Sequence, residues 1–163
     1  MSANSASIIL RPAEPDDEPF LFELYADTRA DELAAWGWNQ AQQEVFLRLQ
    51  FNAQRRGYEM QYAEADHHVI IFNDQHAGRM IVSRTQEEIL FIDIALLAQY
   101  RNKGIGTSLI RGLCEEAERK ALPLRLHVLK SNGAAQRLYK RLGFSTTGES
   151  SSHFLMEWPP LRP

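Results

Sequence analysis

The chain lacks several features that mark secreted and membrane proteins. It has one cysteine, Cys114, which excludes a disulfide bond within the chain and fits a reducing compartment. No apolar run approaches the ~20 residues that a membrane-spanning helix needs. The segment 1–7 also lacks the basic start and the apolar core of a signal peptide. We therefore expect a cytoplasmic protein that does not bind membranes.

Charge of one sign is not in large excess. The 18 basic and 21 acidic residues leave a net charge of −3, so no basic surface for nucleic acid is indicated. The five histidines do not have the spacing of metal ligands, and the adjacent His67 and His68 would point to opposite faces of a strand. The sequence therefore predicts neither a nucleic-acid partner nor a bound metal.

Hydrophobic periodicity predicts an alternation of strands and helices. A period of two residues marks strands, and a period near 3.6 marks helices. In chain order the predicted elements are a strand at 7–11, a helix at 20–35 with a break near 28–29, a helix at 40–56 that Gly57 ends, strands at 68–72, 78–84 and 88–97, a helix at 107–120, a strand at 123–129, a helix within 131–144, and strands at 143–147 and 153–158. No linker or repeat divides this order, so we expect one mixed α/β domain over 1–163.

The most informative segment is a glycine loop between an apolar strand and a helix. At 101–106 the chain reads Arg-Asn-Lys-Gly-Ile-Gly. Backbone N–H groups converge at a helix N-terminus, where the helix dipole also favours an anion. Gly104 and Gly106 remove side chains near the main chain, and Arg101 and Lys103 add charge that can reach phosphate oxygens. The pattern predicts a pyrophosphate site.

Two better-known phosphate-binding loops do not fit this segment. In a P-loop the lysine follows the glycines, whereas Lys103 precedes them. The dinucleotide fingerprint needs a third small residue three positions after Gly106, where Leu109 stands. An α/β protein that binds a nucleotide is therefore the weaker alternative. A tight strand-to-helix turn without a ligand is another.

A second segment makes the pattern more specific. After the strand at 123–129 the chain reads SNGAAQRLYKRLGF at 131–144. Together the two segments resemble the GNAT (GCN5-related) N-acetyltransferase superfamily, whose acetyl-CoA pyrophosphate motif is similar to the glycine loop. The second segment resembles the family's strand and helix that carry Asn, then Leu-Tyr, then Gly-Phe. The resemblance implies the GNAT fold, a mixed central sheet of about seven strands flanked by about four helices, with two central parallel strands that splay apart.

The resemblance also implies where acetyl-CoA binds. In the family the pantetheine arm lies between the splayed strands, which here are 89–97 and 124–129. It would follow the main chain of Ile94, Ala95 and Leu96, where an N–H would polarise the thioester carbonyl. The amides that would hold the pyrophosphate are those of Arg101, Asn102, Lys103, Gly104, Ile105, Gly106 and Thr107. No metal is implied.

Two residues of the second segment have implied roles. In the family a tyrosine at the place of Tyr139 protonates the departing CoA thiolate, which is chemically plausible for a phenol. The alternative is core packing at helical spacing. Asn132 would contact the pantetheine arm or a nearby water, or would cap the helix. Ala98 stands where proline is common in the family, and because alanine keeps its N–H we expect no effect of this departure on binding.

The acceptor side is less determined. A base must deprotonate the amine, and Glu32 is the preferred candidate, with Asp31 and Asp93 as others and an ordered water chain as an alternative. A solvated helix charge is the competing interpretation of Glu32. Trp36 and Trp38 would line an acceptor pocket or simply pack.

We therefore expect an acetyl-CoA-dependent N-acetyltransferase that transfers the acetyl group directly to a primary amine. The acceptor, a small molecule or a peptide, stays open. The alternative is a catalytically silent acyl-CoA-binding or sensing domain on the same fold. A homodimer is compatible with the resemblance, because terminal strands of this family often pair between subunits.

Overall fold

The computed structural model describes residues 7–159, and within them it contains seven strands and four α-helices. The elements are β1 (Ile8–Pro12), α1 (Glu18–Ala34), α2 (Gln40–Gln61), β2 (Asp66–Phe72), β3 (Gln75–Arg84), β4 (Ile89–Leu96), α3 (Ile105–Lys120), β5 (Leu124–Leu129), α4 (Gly133–Arg141), β6 (Ser145–Glu149) and β7 (His153–Trp158). Two 3-10 turns lie at Pro15–Asp17 and Ala98–Tyr100. The predicted order and type of these elements are confirmed.

The strands form one mixed sheet in the order β1-β2-β3-β4-β5-β7-β6. β4 and β5 are parallel, whereas β1 with β2, β5 with β7 and β6 with β7 are antiparallel. The register of β4 and β5 covers Ile89–Phe91 and Leu124–Leu126, while β7 pairs with β5 along all of Leu124–Leu129. The two central parallel strands are thus paired at their beginnings, which fits the predicted splay.

The described residues divide into two compact units. One contains 7–80 and 94–103, and the other contains 81–93 and 104–159. In the first unit, Tyr25, Leu33, Leu47 and Phe51 of α1 and α2 form a buried cluster. In the second, the buried face of α3 includes Ile110, Leu113, Cys114 and Ala117. The expectation of a single domain over 1–163 stays a prediction.

Cys114 has the role of a small apolar side chain. It is free and buried on α3, and burial raises the pKa of its thiol to about 11. The thiolate is therefore scarce at neutral pH, so the side chain is unreactive and packs like a small apolar group.

Two predicted helix features are wrong. The break near 28–29 does not occur, since α1 is continuous from Glu18 to Ala34 and the Thr28 hydroxyl is accommodated within it by donating to the Tyr25 carbonyl at 2.7 Å. Gly57 does not end α2, which continues to Gln61. Arg79 explains the extension, since it donates to Gln54 Oε1 at 3.0 Å and lies over the Tyr58 ring, on either side of the glycine.

Candidate functional site

The glycine loop enters α3 through a left-handed residue. Gly104 has φ 81° and ψ 5° and precedes the first helical residue, Ile105, so α3 begins two residues earlier than predicted. The first α-helical hydrogen bond runs from the Ser108 amide to the Gly104 carbonyl at 3.0 Å, and no side chain caps this end. The amides of Ile105, Gly106 and Thr107 therefore lie in the first turn, where an α-helix offers them no internal partner. This arrangement suits an anion.

The approach to this helix end is open. Residues 101–104 are exposed, and a Cβ at Gly104 would meet no heavy atom within 4 Å. Glycine is thus required there by backbone conformation, since φ is positive, rather than by crowding within the chain. Asn102 also has a positive φ, 60°, which asparagine tolerates better than most residues. The exposed Lys103 supplies a positive charge within the loop.

Arg101 is engaged within the chain. Its Nε donates to the Leu96 carbonyl at 2.9 Å, and its Nη2 contacts Asp27 Oδ2 at 3.2 Å. The same carboxylate oxygen accepts from the Ala98 amide at 2.8 Å. The guanidinium therefore already has two partners, and a phosphate contact by its side chain would compete with them.

The end of β4 departs from regular strand geometry. A Cβ at Gly78 of β3 would stand 2.1 Å from the Ala95 carbonyl oxygen, so this carbonyl is directed at the Gly78 α-carbon. Two residues on, the Leu97 amide donates to the Ala77 carbonyl at 2.9 Å. In the segment predicted to bind pantetheine, the Ala95 carbonyl thus faces β3 and the Leu96 carbonyl faces Arg101.

Tyr139 is held on α4 by two aromatic rings. Its ring meets Phe91 of β4 edge-on, with centroids 6.4 Å apart, and lies 5.7 Å from the Phe144 ring. Burial raises the pKa of Tyr139 to about 12, and the Asp93 carboxylate adds to the increase. Among residues 7–159 the hydroxyl has no hydrogen-bond partner. The ring is packed while the hydroxyl remains available to another group.

Asn132 caps α4, as one of its two interpretations predicts. Its Oδ1 accepts from the Ala135 amide at 3.1 Å. Gln136 strengthens this end by donating to the Leu129 and Lys130 carbonyls at 3.0 and 2.9 Å. The cap uses the side-chain oxygen of Asn132, and its NH₂ group is a donor that could still meet a ligand.

The acceptor-side candidates lie on or after α1. The Glu32 side chain is 52% exposed and lies 3.5 Å from Arg29 in an (i, i+3) ion pair. This placement is that of a solvated helix charge, and a catalytic role for Glu32 stays a prediction. Trp36 and Trp38 form an edge-to-face cluster with Phe46, with centroid distances of 5.1 to 5.4 Å. Packing therefore accounts for both tryptophans, although each is partly exposed.

The part of the chain that the structure describes contains neither a candidate metal site nor a candidate membrane-spanning helix. Between residues 7 and 159 no three His, Cys, Asp or Glu side chains are grouped so that they could hold a metal ion. Over the same residues no helix combines the length and apolarity that crossing a membrane requires.

A model of the Acetyltransferase (GNAT) family matches residues 19–144. The chain belongs to this family. The match contains β4, the glycine loop and α3, together with β5 and α4. The GNAT resemblance predicted from the two motifs is confirmed.

Relatives of this GNAT chain include proteins of known name and structure. A candidate ribosomal protein bS18-alanine N-acetyltransferase from Bacillus subtilis (strain 168) is 30% identical over 92 residues, which are 54% of the chain and 60% of that relative. The chain thus matches less than two thirds of this relative's length. The PaiA N-acetyltransferase of Thermoplasma acidophilum, solved in complex with coenzyme A, has a TM-score of 0.68 at 18% identity, covering 94% of the chain and 99% of that structure. The ribosomal-protein-S18-alanine N-acetyltransferase of Escherichia coli has a TM-score of 0.64 at 20% identity, covering 96% and 97%. These structures share the fold.

One contact beside the glycine loop was not predicted from the sequence. Asp27 contacts the Ala98 amide from 71 positions away, and nothing in its local sequence distinguishes it from the other acidic residues of α1. The departure at Ala98, from which we expected no effect, was the one signal in the sequence, because the alanine N–H that a proline would lack needs an acceptor.

Proposed function

We propose that this GNAT protein is an N-acetyltransferase that moves an acetyl group from acetyl-CoA directly to a primary amine in a ternary complex. The observation that carries the proposal is the Tyr139 hydroxyl, which is protonated at neutral pH and has no partner among the described residues. The names of the B. subtilis and T. acidophilum relatives, both N-acetyltransferases, support the proposed activity, and the coenzyme A complex supports the proposed co-substrate.

In this proposal the chain binds acetyl-CoA mainly through its backbone. The amides from Asn102 to Thr107, and above all those of the first turn of α3, bind the pyrophosphate, and Lys103 adds charge. The Arg101 amide is left out of this set, because it donates to the Ala98 carbonyl at 3.2 Å. The main chain of Ile94, Ala95 and Leu96 binds the pantetheine arm. The Asn132 amide group donates a further hydrogen bond. Because most of these contacts come from backbone groups, the conformation of the main chain determines the specificity for CoA, as in other phosphate loops.

The chemistry follows from the charges that develop. The neutral amine attacks the thioester carbonyl carbon, a C–N bond forms, and the oxyanion is stabilised by a backbone N–H of β4. When the C–S bond breaks, the sulfur takes the proton of Tyr139, and the proton lost by the amine nitrogen restores the phenol through solvent. The raised pKa of Tyr139 opposes full proton transfer to a thiolate in water. Desolvation of the leaving thiolate would raise the pKa of the thiol in the same direction, which reduces the mismatch between donor and acceptor.

The acceptor is proposed as a primary amine, with Glu32 as the carboxylate on its side. Because the B. subtilis relative is named for an alanine of ribosomal protein bS18, peptides with an N-terminal alanine are the first acceptors to assay. Polyamines and amino acids form the comparison set, since they present the same nucleophile with different charge.

The test combines binding with turnover. Thermal unfolding is measured with acetyl-CoA, CoA, ATP and NAD, because a ligand at a hundredfold excess over its Kd stabilises the folded state by about 2.7 kcal/mol. We expect a shift with the CoA species alone, and thiol release from acetyl-CoA when an amine is added. Binding without thiol release for any amine would favour the silent acyl-CoA-binding domain. No shift with any CoA species would contradict the proposed site.

A further inference from the structure

The main chain between β4 and the glycine loop is tied to α1 by one carboxylate. Asp27 Oδ2 accepts from the Ala98 amide at 2.8 Å and from Arg101 Nη2 at 3.2 Å. The same guanidinium donates from Nε to the Leu96 carbonyl at 2.9 Å. These four residues form a closed ring of contacts that joins the last residue of β4, the turn at Ala98–Tyr100 and the start of the loop.

The amide at position 98 explains why an acceptor is needed. Ala98 is the first residue of the 3-10 turn, so the turn itself provides no partner for its N–H. The preceding Leu97 has φ −57° and ψ 148°, a conformation that is compatible with a following proline. A proline here would have no N–H to satisfy and would fix its own φ near −65°. Alanine has neither property, and Asp27 supplies the missing constraint.

The same contacts do little for the stability of the whole fold. The side chains of Asp27 and Arg101 are 30% and 42% exposed, and ion pairs at such exposure contribute little to the free energy of unfolding. A hydrogen bond from a backbone amide to a charged acceptor is directional, however, and it restricts the peptide at 97–98. The structural effect is therefore local, on the Leu96 and Arg101 main chain.

We propose that Asp27 is a positioning residue that holds the main chain from Leu96 to Arg101 in the conformation that binds acetyl-CoA, in place of a proline at position 98. The inference rests on the proposed function. In this arrangement the Arg101 guanidinium binds Asp27 and Leu96. Lys103 and the amides of the first turn of α3 then balance the negative charge of the pyrophosphate.

The test measures acetyl-CoA affinity by calorimetry on full-length variants. Asp27→Ala should raise the Kd about tenfold or more, as expected for loss of a charge-assisted hydrogen bond at a binding segment. Asp27→Asn keeps an acceptor oxygen for the Ala98 amide and should lose less. Glu23→Ala removes another exposed carboxylate from α1 and serves as the matched control, with the wild-type Kd. All four proteins should melt at similar temperatures.

A second substitution separates positioning from charge. In the Asp27→Ala background, Ala98→Pro should restore acetyl-CoA affinity to within about threefold of wild type, because proline fixes the same backbone without an acceptor. In steady state, the KM for acetyl-CoA should follow the Kd while the KM for the amine stays unchanged. Failure of Ala98→Pro to restore affinity would overturn the role assigned to the Ala98 amide.

A ligand-free measurement keeps this inference separate from the proposed function. Hydrogen exchange of the amides at 98–101 should be faster in Asp27→Ala and should slow again in the double variant at its remaining amides. Unchanged exchange, or an unchanged Kd in Asp27→Ala, would overturn the positioning role. If wild type binds no CoA species, the proposed function fails, and the exchange data then decide whether Asp27 still orders the turn.

Discussion

The ring of Tyr139 on α4 meets the ring of Phe91 on β4 at 86°, with the centroids 6.4 Å apart. Edge-to-face contact of this kind orients an aromatic ring and leaves its para substituent directed along the ring axis. Phe91 lies in the stretch of β4 that is paired with β5, so the ring stands on a fixed part of the sheet. Packing and catalysis are thus compatible interpretations of Tyr139, because the ring serves one and the hydroxyl serves the other.

Removing the hydroxyl tests the second interpretation alone. In Tyr139→Phe both ring contacts are kept, so the melting temperature and the Kd for acetyl-CoA should stay near wild type. Turnover should fall by about 10²-fold or more, because the departing thiolate loses its proton donor. Steady-state thiol release with a fixed amine measures this. Unchanged turnover would rule out Tyr139 as the general acid.

The ionisation of Tyr139 gives a prediction about pH. Its pKa is about 12, compared with 10.0 for the unperturbed group. Burial is the larger cause of the increase, and the Asp93 carboxylate is the smaller one. Asp93→Asn removes the smaller cause, so the pKa should fall and yet stay above the ordinary value. Phenolate absorbance against pH, with the Tyr139→Phe curve subtracted, measures the change. An unchanged pKa would show that burial alone is responsible.

The raised pKa of Tyr139 predicts that the folded state loses stability at alkaline pH. The folded state binds the phenolic proton more tightly than the unfolded state, so the contribution is fully present below pH 10 and is lost as pH rises toward 12. Wild type should therefore lose stability across this range more steeply than Tyr139→Phe. Denaturant midpoints at several alkaline pH values provide the comparison.

The parts of the fold that the sequence predicted are those governed by local patterns. The order of strands and helices follows from periodicity, and the turn before α3 follows from Gly104, whose positive φ few other residues adopt. The two wrong helix features depended on contacts that local sequence does not contain. Arg79 on β3 stabilises the last turns of α2 around Gly57. Asp27 is a similar case, since only the fold brings it to Ala98.

Asn132 combines a cap with a proposed ligand contact, and two substitutions separate them. Asn132→Ala loses the bond to the Ala135 amide and should destabilise the fold by about 1 kcal/mol. Asn132→Asp keeps a capping oxygen but has no NH₂ group, so its stability should be near wild type. If the side chain also binds pantetheine, Asn132→Asp should weaken acetyl-CoA binding at normal stability. Wild-type affinity in Asn132→Asp would leave the residue as a cap alone.

Glu32 has competing interpretations that kinetics can distinguish. The side chain is half exposed and paired with Arg29, so Glu32→Gln should change the melting temperature little. If the carboxylate orients or deprotonates the amine, the KM for a cationic acceptor should rise while the KM for acetyl-CoA stays constant. Arg29→Gln is the control, since it breaks the same ion pair and keeps the carboxylate. Equal acceptor kinetics in Glu32→Gln and wild type would make Glu32 a surface charge.

Two glycine substitutions should have opposite signs. Gly78→Ala places a Cβ 2.1 Å from the Ala95 carbonyl oxygen, which is backbone and cannot swing aside, so β4 must shift at a cost of about 1–3 kcal/mol. Gly57→Ala is the matched control, because the position is exposed within α2 and no atom lies within 4 Å of the new Cβ. It should stabilise the protein by about 0.5–1 kcal/mol. Urea unfolding measures both changes.

Acetyl-CoA binding by Gly78→Ala tests whether the direction of the Ala95 carbonyl matters for the ligand. The shift of Ala95 displaces the segment proposed to bind pantetheine, so acetyl-CoA affinity should fall along with stability. Gly57→Ala should bind acetyl-CoA as wild type does, because the new Cβ meets no atom within 4 Å and the helical backbone is unchanged. If Gly78→Ala is destabilised but binds acetyl-CoA normally, the carbonyl direction at Ala95 does not matter for the ligand, and the pantetheine contact must be sought at Ile94 or Leu96.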